Sequence, residues 1–259
     1  LPAGGNNCLC GLIAEKLALE WSPQQISGWL KRTYVDDLAM QVSHETIYRS
    51  LYIQYRGVLD KKLQKHLRTK RVFRQSRYGN LGRLRSSIKN ATSTAERPTA
   101  VEDRSILGHW EGDLIAGSSN THIGTLVERR SRFTMLVKVQ GKDTRSVVNA
   151  LVQQIKTLPD TLRLSLTWDR GSELAEHQRL SLETGMDIYF CDPGSPWQRG
   201  TNENTNRLLK QYFPKKTNLG GYSQDKLDSV ALRLNQRPRK ILGCRSPAEY
   251  FSSSVAVIG

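Results

Sequence analysis

Gly108-His-Trp-Glu-Gly-Asp-Leu-Ile115 alternates apolar and polar residues and reads as a β-strand. Two more follow, Gly124-Thr-Leu-Val-Glu128 and Phe133-Thr-Met-Leu-Val-Lys-Val139, joined by a turn at 129–132, so the three predict an antiparallel meander. Over 143–158 the apolar residues Val147, Val148, Leu151, Val152 and Ile155 fall at helical spacing, and Pro159 stops the helix. A strand over 162–168, a helix over 174–183 and a strand over 187–190 come next. Antiparallel strands followed by alternating helix and strand predict an α/β fold, a mixed sheet flanked by helices.

Acids interrupt this frame. Asp113 sits in the middle of the first strand among apolar neighbours, and Asp169 ends the fourth, ahead of Arg170-Gly171-Ser172-Glu173. A carboxylate is a poor strand former, and burying it costs energy unless it is paired or bound to a cation. The alternative is a surface acid on an edge strand. Further along, Gly200 and Thr201 read as a helix start and Pro214 as its stop. On that helix Glu203, Arg207 and Lys210 form one stripe, while Leu208, Leu209, Tyr212 and Phe213 cover the opposite side. Surface ion pairing between neighbouring turns would give the same stripe.

The first part of the chain reads as three short helices. Leu12, Ile13, Leu17, Leu19 and Trp21 give the first its apolar stripe, and Ser22-Pro23-Gln24-Gln25 predicts a capping box that starts the second, over 24–31. Ser43 caps a third over 44–52, with Ile47 and Leu51 inward and His44, Glu45, Tyr48, Arg49 and Tyr52 outward. A helix pair ending in such a face is what a helix-turn-helix lays in the major groove, although any three-helix bundle has a solvated face. Directly behind it lies most of the positive charge. The 259-residue chain carries +15, and residues 56–90 hold twelve basic groups against the single acid Asp60. Arg68, Lys70, Arg71 and Arg74 fall where a helix is expected to fade into a basic linker, and so many uncompensated charges point to the phosphates of a nucleic acid rather than to a mere spacer.

Several classes are excluded. With 37% hydrophobic and 24% charged residues the composition is that of a globular protein, not of a disordered, collagen-like or disulfide-stapled one. No run of apolar residues is long enough for a membrane helix and the start is unlike a signal peptide, so a cytoplasmic protein with no membrane partner is expected. Cys8, Cys10, Cys191 and Cys244 are too scattered for a disulfide framework and are read as reduced thiols. The chain begins with Leu1 rather than Met and reads as part of something longer.

Six stretches now combine: Trp110-Glu-Gly-Asp113, Thr167-Trp-Asp-Arg-Gly-Ser-Glu173, Tyr189-Phe-Cys-Asp-Pro193, Ser195-Pro-Trp-Gln-Arg-Gly-Thr-Asn-Glu-Asn-Thr-Asn206, Tyr212-Phe-Pro-Lys215 and Leu234-Asn-Gln-Arg-Pro-Arg-Lys240. Together they resemble the bacterial insertion sequence 30 transposase family, within the DDE transposases and retroviral-type integrases. The resemblance runs over about 12–251, is interrupted at 77–99 and leaves out 1–10. It implies a ribonuclease H-like catalytic domain over 101–259, preceded by a small all-α helix-turn-helix domain over 1–55 and the basic linker 56–100.

It also implies roles. Asp113, Asp169 and Glu203 become the catalytic and metal-binding carboxylates, with 33 residues between the last two, close to the integrase-like spacing. They would hold two magnesium ions, with manganese as substitute, Asp113 bridging and the others each closing one side. Arg207 and Lys210 would grip DNA near the scissile phosphate, with Lys215, Lys216 and residues 237–240 extending that surface. Ser43, His44, Tyr48, Arg49, Arg68, Lys70, Arg71 and Arg74 would bind the element ends. The implied activity is that of a DNA transposase: it cuts to free a 3′-hydroxyl and joins that end to target DNA. Its partners would be double-stranded DNA of both kinds, bound as a homo-oligomer at the bacterial nucleoid. Family members usually carry a further N-terminal helix-turn-helix, so an N-terminally truncated chain is expected. Two alternatives stand beside this: a catalytically incompetent, transposase-derived DNA-binding protein, and a ribonuclease H-like nuclease acting on RNA–DNA hybrids.

Overall fold

The computed structural model describes residues 4–52, 59–67, 91–97, 104–192 and 195–258. They divide into two compact units, the described residues of Leu1–Gly79 with Gln236–Tyr250, and those of Asn80–Asn235 with Phe251–Gly259.

In the first unit α1 (Gly4–Ala18) starts earlier than the sequence reading placed it and brings Leu9 into the core beside Ile13 and Leu17. The capping box opens α2 (Pro23–Thr33): the Gln25 N–H donates to Ser22 Oγ at 3.3 Å, and the Ser22 N–H to Gln25 Oε1 at 2.8 Å. Ser43 caps α3 (His44–Tyr52) by accepting the Thr46 N–H at 3.1 Å. Ile26, Leu30, Ile47 and Leu51 from α2 and α3 close over Trp21 and Leu17. Residues 19–22 connect α1 to α2, whereas residues 34–43, with a 3-10 turn at Leu38–Met40, separate α2 from α3. A helix-turn-helix uses three or four linking residues, so the short connection lies one helix earlier than expected. Beyond α3, Lys61–His66 is a 3-10 turn rather than a helix, flanked by the buried Leu59 and Leu67.

Gln236–Tyr250, from within the stretch expected as one domain over 101–259, groups with this unit. Three contacts hold it. Arg237, 2% exposed, reaches the Glu20 carboxylate at 3.0 Å; Arg32 forks onto Glu249 at 3.0 and 3.1 Å; and Cys244 Sγ lies so close to Gly28 that a Cβ there would approach to 2.4 Å. Arg237 is therefore a buried internal partner, not part of the DNA-facing run anticipated at 237–240.

The second unit is built on a five-stranded sheet of order β3-β2-β1-β4-β5, with β1 His109–Ala116, β2 His122–Glu128, β3 Thr134–Lys138, β4 Ser165–Trp168 and β5 Asp187–Phe190. The β1–β2 and β2–β3 pairs are antiparallel, the β1–β4 and β4–β5 pairs parallel, giving the mixed sheet foreseen. Strand alternation sorts β1 into two faces. Trp110 and Leu114 pack with Leu126, Leu166 and Trp168 under α4 (Thr144–Ile155) and α5 (His177–Thr184). Ile115 faces the other way, with Ile123 and Leu136, under α6 (Gly200–Leu209) and α7 (Gln224–Asn235). Gly112 admits the Trp168 indole, whose ring carbons would lie 2.2 and 2.3 Å from a Cβ at that position.

The free edge of β3 is closed by amide side chains: Lys138 N–H donates to Gln224 Oε1, and Asn235 exchanges hydrogen bonds with both backbone groups of Thr134, each at 2.8 Å. On α8 (Pro247–Ile258), Phe251 stacks on Phe133 with ring centres 4.5 Å apart. Three elements differ from the sequence reading. The fourth strand begins only at Ser165, after a 3-10 turn at Asp160–Leu162; the next helix splits into a 3-10 turn, Ser172–Leu174, and α5; and α6 ends at Leu209, not near Pro214. In the last case Tyr212 and Phe213 continue in tight turns, both donating to Leu209 O, which still buries the Phe213 ring.

Candidate active site

The parallel register that sets Trp110 against Leu166 and Glu111 against Thr167 brings Asp113 and Asp169 out at the same end of the sheet. Asp113 lies within β1 and Asp169 is the first residue past β4. Between them sits a cation the sequence reading passed over. Arg199 Nη2 is 3.2 Å from Asp169 Oδ2, Nη1 is 3.3 Å from Asp113 Oδ1, and Nη1 also donates to the Gly112 carbonyl at 2.7 Å. The remaining lone pairs are engaged as well. Asp113 accepts the Leu114 N–H at 2.9 Å and Asn206 Nδ2 at 2.8 Å, and Asp169 accepts the Gly171 N–H at 3.1 Å.

Burial pushes the Asp113 carboxyl above its ordinary pKa; Arg199 opposes the rise and the neighbouring Asp169 charge adds to it. Burial also works against the Arg199 charge, but the two aspartates outweigh it and hold the guanidinium above its usual value.

A second network seats α6 on the sheet. Glu111 is fully buried, accepting Arg129 Nε at 3.1 Å and the Asn202 N–H at 2.9 Å. Asn202 returns a bond from Nδ2 to the Glu111 carbonyl at 2.9 Å and accepts the Thr125 hydroxyl at 3.2 Å. A carboxylate thus meets the first turn of a helix, where the backbone dipoles favour negative charge. Glu111 shares its face with Asp113, yet its oxygens are spent on holding the helix.

Glu203 stands apart from the two aspartates. Its side chain is 53% exposed and paired with Arg207 at 2.5 Å. Among the described residues no three His, Cys, Asp or Glu side chains gather as a metal cage. What the site does offer is the two aspartates and, one turn beyond Glu203, the Oδ1 of Asn206, buried without a hydrogen-bond partner among the described residues. These are hard oxygen donors around a negative centre, a set that fits magnesium or manganese.

Lys210 is exposed at the end of α6, and Lys215 and Lys216 are exposed beyond it. In the first unit Arg49 is exposed; Tyr48 is half-buried between the rings of His44 and Tyr52, and His44 lies 3.4 Å from Glu45. Arg68, Lys70, Arg71 and Arg74 lie outside the described residues. Arg199 and Asn206 were legible in one respect: they sit four residues before and three after Glu203, one helical face of the quoted motif. No helix among the described residues is long and apolar enough to cross a membrane.

Residues 104–196 match the family model of the integrase core domain. Transposase InsI for insertion sequence element IS30A of Escherichia coli (strain K12) is 50% identical over 250 residues, 95% of this chain and 65% of the relative. The transposase for insertion sequence element IS1086 of Cupriavidus metallidurans is 46% identical over 249 residues, 96% of this chain and 73% of the relative. Among solved structures, the catalytic core domain of BIV integrase covers 58% of this chain and 97% of its own, at 21% identity and a TM-score of 0.46. The chain belongs to the insertion sequence 30 family of transposases. It spans 65% of the length of the Escherichia coli relative.

Proposed function

We propose that this chain carries the DNA-cleaving and strand-joining centre of an insertion-sequence transposase. The observation that carries the reading is the convergence of Asp113 and Asp169 at one end of adjacent parallel strands, bridged by a single guanidinium. Asp113 and Asp169 would hold divalent magnesium, with manganese as substitute, and Glu203 would complete the set after exchanging away from Arg207. When bound, two such ions activate a water or a 3′-hydroxyl and stabilise the leaving oxygen of a phosphodiester. The Glu111 network keeps α6, and with it Glu203 and Asn206, against β1. Arg207 and Lys210 extend from the same helix toward the DNA backbone. Ser43, which caps α3, and the outer residues His44, Tyr48 and Arg49 of that helix would select the element ends, and the basic stretch with Arg68, Lys70, Arg71 and Arg74 would hold duplex phosphates without regard to sequence. Two or more copies would act together on the two ends, at the bacterial nucleoid.

One observation favours a second reading. The turn of Glu203 toward Arg207 is what a DNA-binding chain without catalysis would also have. A cleavage assay on duplexes carrying the element's own terminal repeats separates the two. Magnesium-dependent nicking by the full chain, lost in Asp113→Asn and Asp169→Asn while end binding persists, is the expected result. Binding without nicking in the unaltered chain would favour the second reading.

A further inference from the structure

Resting on the metal-site reading above, we infer that Arg199 is a built-in counter-ion that holds the two aspartates together and gives them up to divalent cations, then passes to a DNA phosphate. Its guanidinium spans both carboxylates and the Gly112 carbonyl, with its side chain only 16% exposed. Asp113 Oδ2 is engaged by Asn206 and Asp169 Oδ1 by the Gly171 N–H; Arg199 takes the other oxygen of each, sharing Asp113 Oδ1 with the Leu114 N–H. A cation that bridges Asp113 and Asp169 needs the same oxygens and repels the guanidinium at close range. Arginine cannot leave by losing its proton, so it leaves by moving.

Its position allows that. Arg199 ends the short 3-10 turn Pro196–Arg199, so its long side chain can swing away by rotation about its own bonds without disturbing a strand. Once free, a planar fork of N–H donors at the mouth of a metal site matches a phosphate better than any other side chain. Metal loading and phosphate gripping are then one coupled event, with a single residue on both sides of the exchange.

The test uses the full chain, with Mn²⁺ as the metal probe in the binding titration, Ca²⁺ as the metal in the DNA-binding arm, and a short duplex of arbitrary sequence as the phosphate probe. Calorimetric titration of Mn²⁺ into the DNA-free protein should show Arg199→Gln binding about tenfold more tightly than the unaltered chain, a common size for coupling between two bound groups. Arg199→Lys, which keeps the charge but not the fork, should fall between the two. It carries the same test if the glutamine variant does not fold. In fluorescence anisotropy Ca²⁺ should raise duplex affinity of the unaltered chain, and that gain should be lost in Arg199→Gln. Equal or weaker Mn²⁺ affinity in both variants overturns the inference. Asp113→Asn and Asp169→Asn separate this failure from failure of the site itself. If they abolish Mn²⁺ uptake while the Arg199 variants leave it unchanged, the counter-ion role alone falls; if they do not, the metal site falls and the exchange with it.

Discussion

Arg129→Ala should be among the most damaging single changes in the sheet unit, for reasons of electrostatics rather than volume. Glu111 is fully buried and Arg129 keeps only 6% of its side chain exposed, with Nε 3.1 Å from the carboxylate. Removing the guanidinium leaves a buried carboxylate with the Asn202 N–H at 2.9 Å and no cation at its former distance. Breaking a buried ion pair from one side typically costs about 3–5 kcal/mol, whereas replacing both partners with neutral groups of similar size is often close to neutral. The expectation is therefore a loss of about 3–5 kcal/mol for Arg129→Ala. Most of it should be recovered in the double variant Glu111→Gln/Arg129→Met, because a glutamine oxygen can still accept the Asn202 N–H. Since the chain forms two units, the readout must belong to this one: hydrogen exchange of the peptides spanning β1 and β2, followed through a urea series. An Arg129→Ala loss below about 1 kcal/mol, or a double variant no better than the single one, would refute the argument.

Three further outcomes follow from the same geometry. Gly112→Ala drives a methyl group to within 2.3 Å of the Trp168 ring and should cost about 1–3 kcal/mol in urea unfolding; an unchanged midpoint would mean that the indole is free to move. Glu203→Gln removes an exposed helix-surface pair and should shift stability by less than about 1 kcal/mol while abolishing magnesium-dependent nicking, so a variant that still nicks at the parent rate removes Glu203 from the site. Asp113 has its folded pKa raised by burial, so its ionised form destabilises the metal-free protein: the penalty is absent below the unfolded value and grows as pH rises through the folded one. Asp113→Asn in EDTA should consequently gain stability relative to the parent as pH rises above the ordinary aspartate value of about 3.9, and a parallel pair of pH–stability curves would contradict this.

Much of the architecture could be read from local pattern. The periodicities of 109–116 and 144–155, the Pro159 stop and the Ser22–Gln25 box are short-range signals, each satisfied by neighbours within a few residues, and the structure returns them nearly where the pattern put them. The limits of elements were less legible where tertiary contacts decide them. Nothing in residues 208–214 says that α6 must end at Leu209, because the turns that follow exist to bury Phe213 beneath α7.

The candidate site shows the same division. Asp113 announces itself as a carboxylate where a strand should be apolar, Asp169 as one directly at a strand end, and Glu203 is picked out by the family resemblance. That Glu111, two residues from Asp113 on the same face, is spent on Arg129 and the Asn202 N–H depends on a partner 91 residues away, which no periodicity encodes. Arg199 is one of many arginines in a chain of net charge +15. Its place between two aspartates arises only when β1 and β4 lie side by side and the turn before α6 is laid across their ends. The return of Gln236–Tyr250 to the helical unit is of this kind too. Sequence alone determined the alternation that makes strands and helices and the acids that mark the candidate site, because those follow from side-chain period and the cost of a buried charge. The tertiary structure decided which charges face one another, because electrostatic pairing acts through space and is indifferent to distance along the chain.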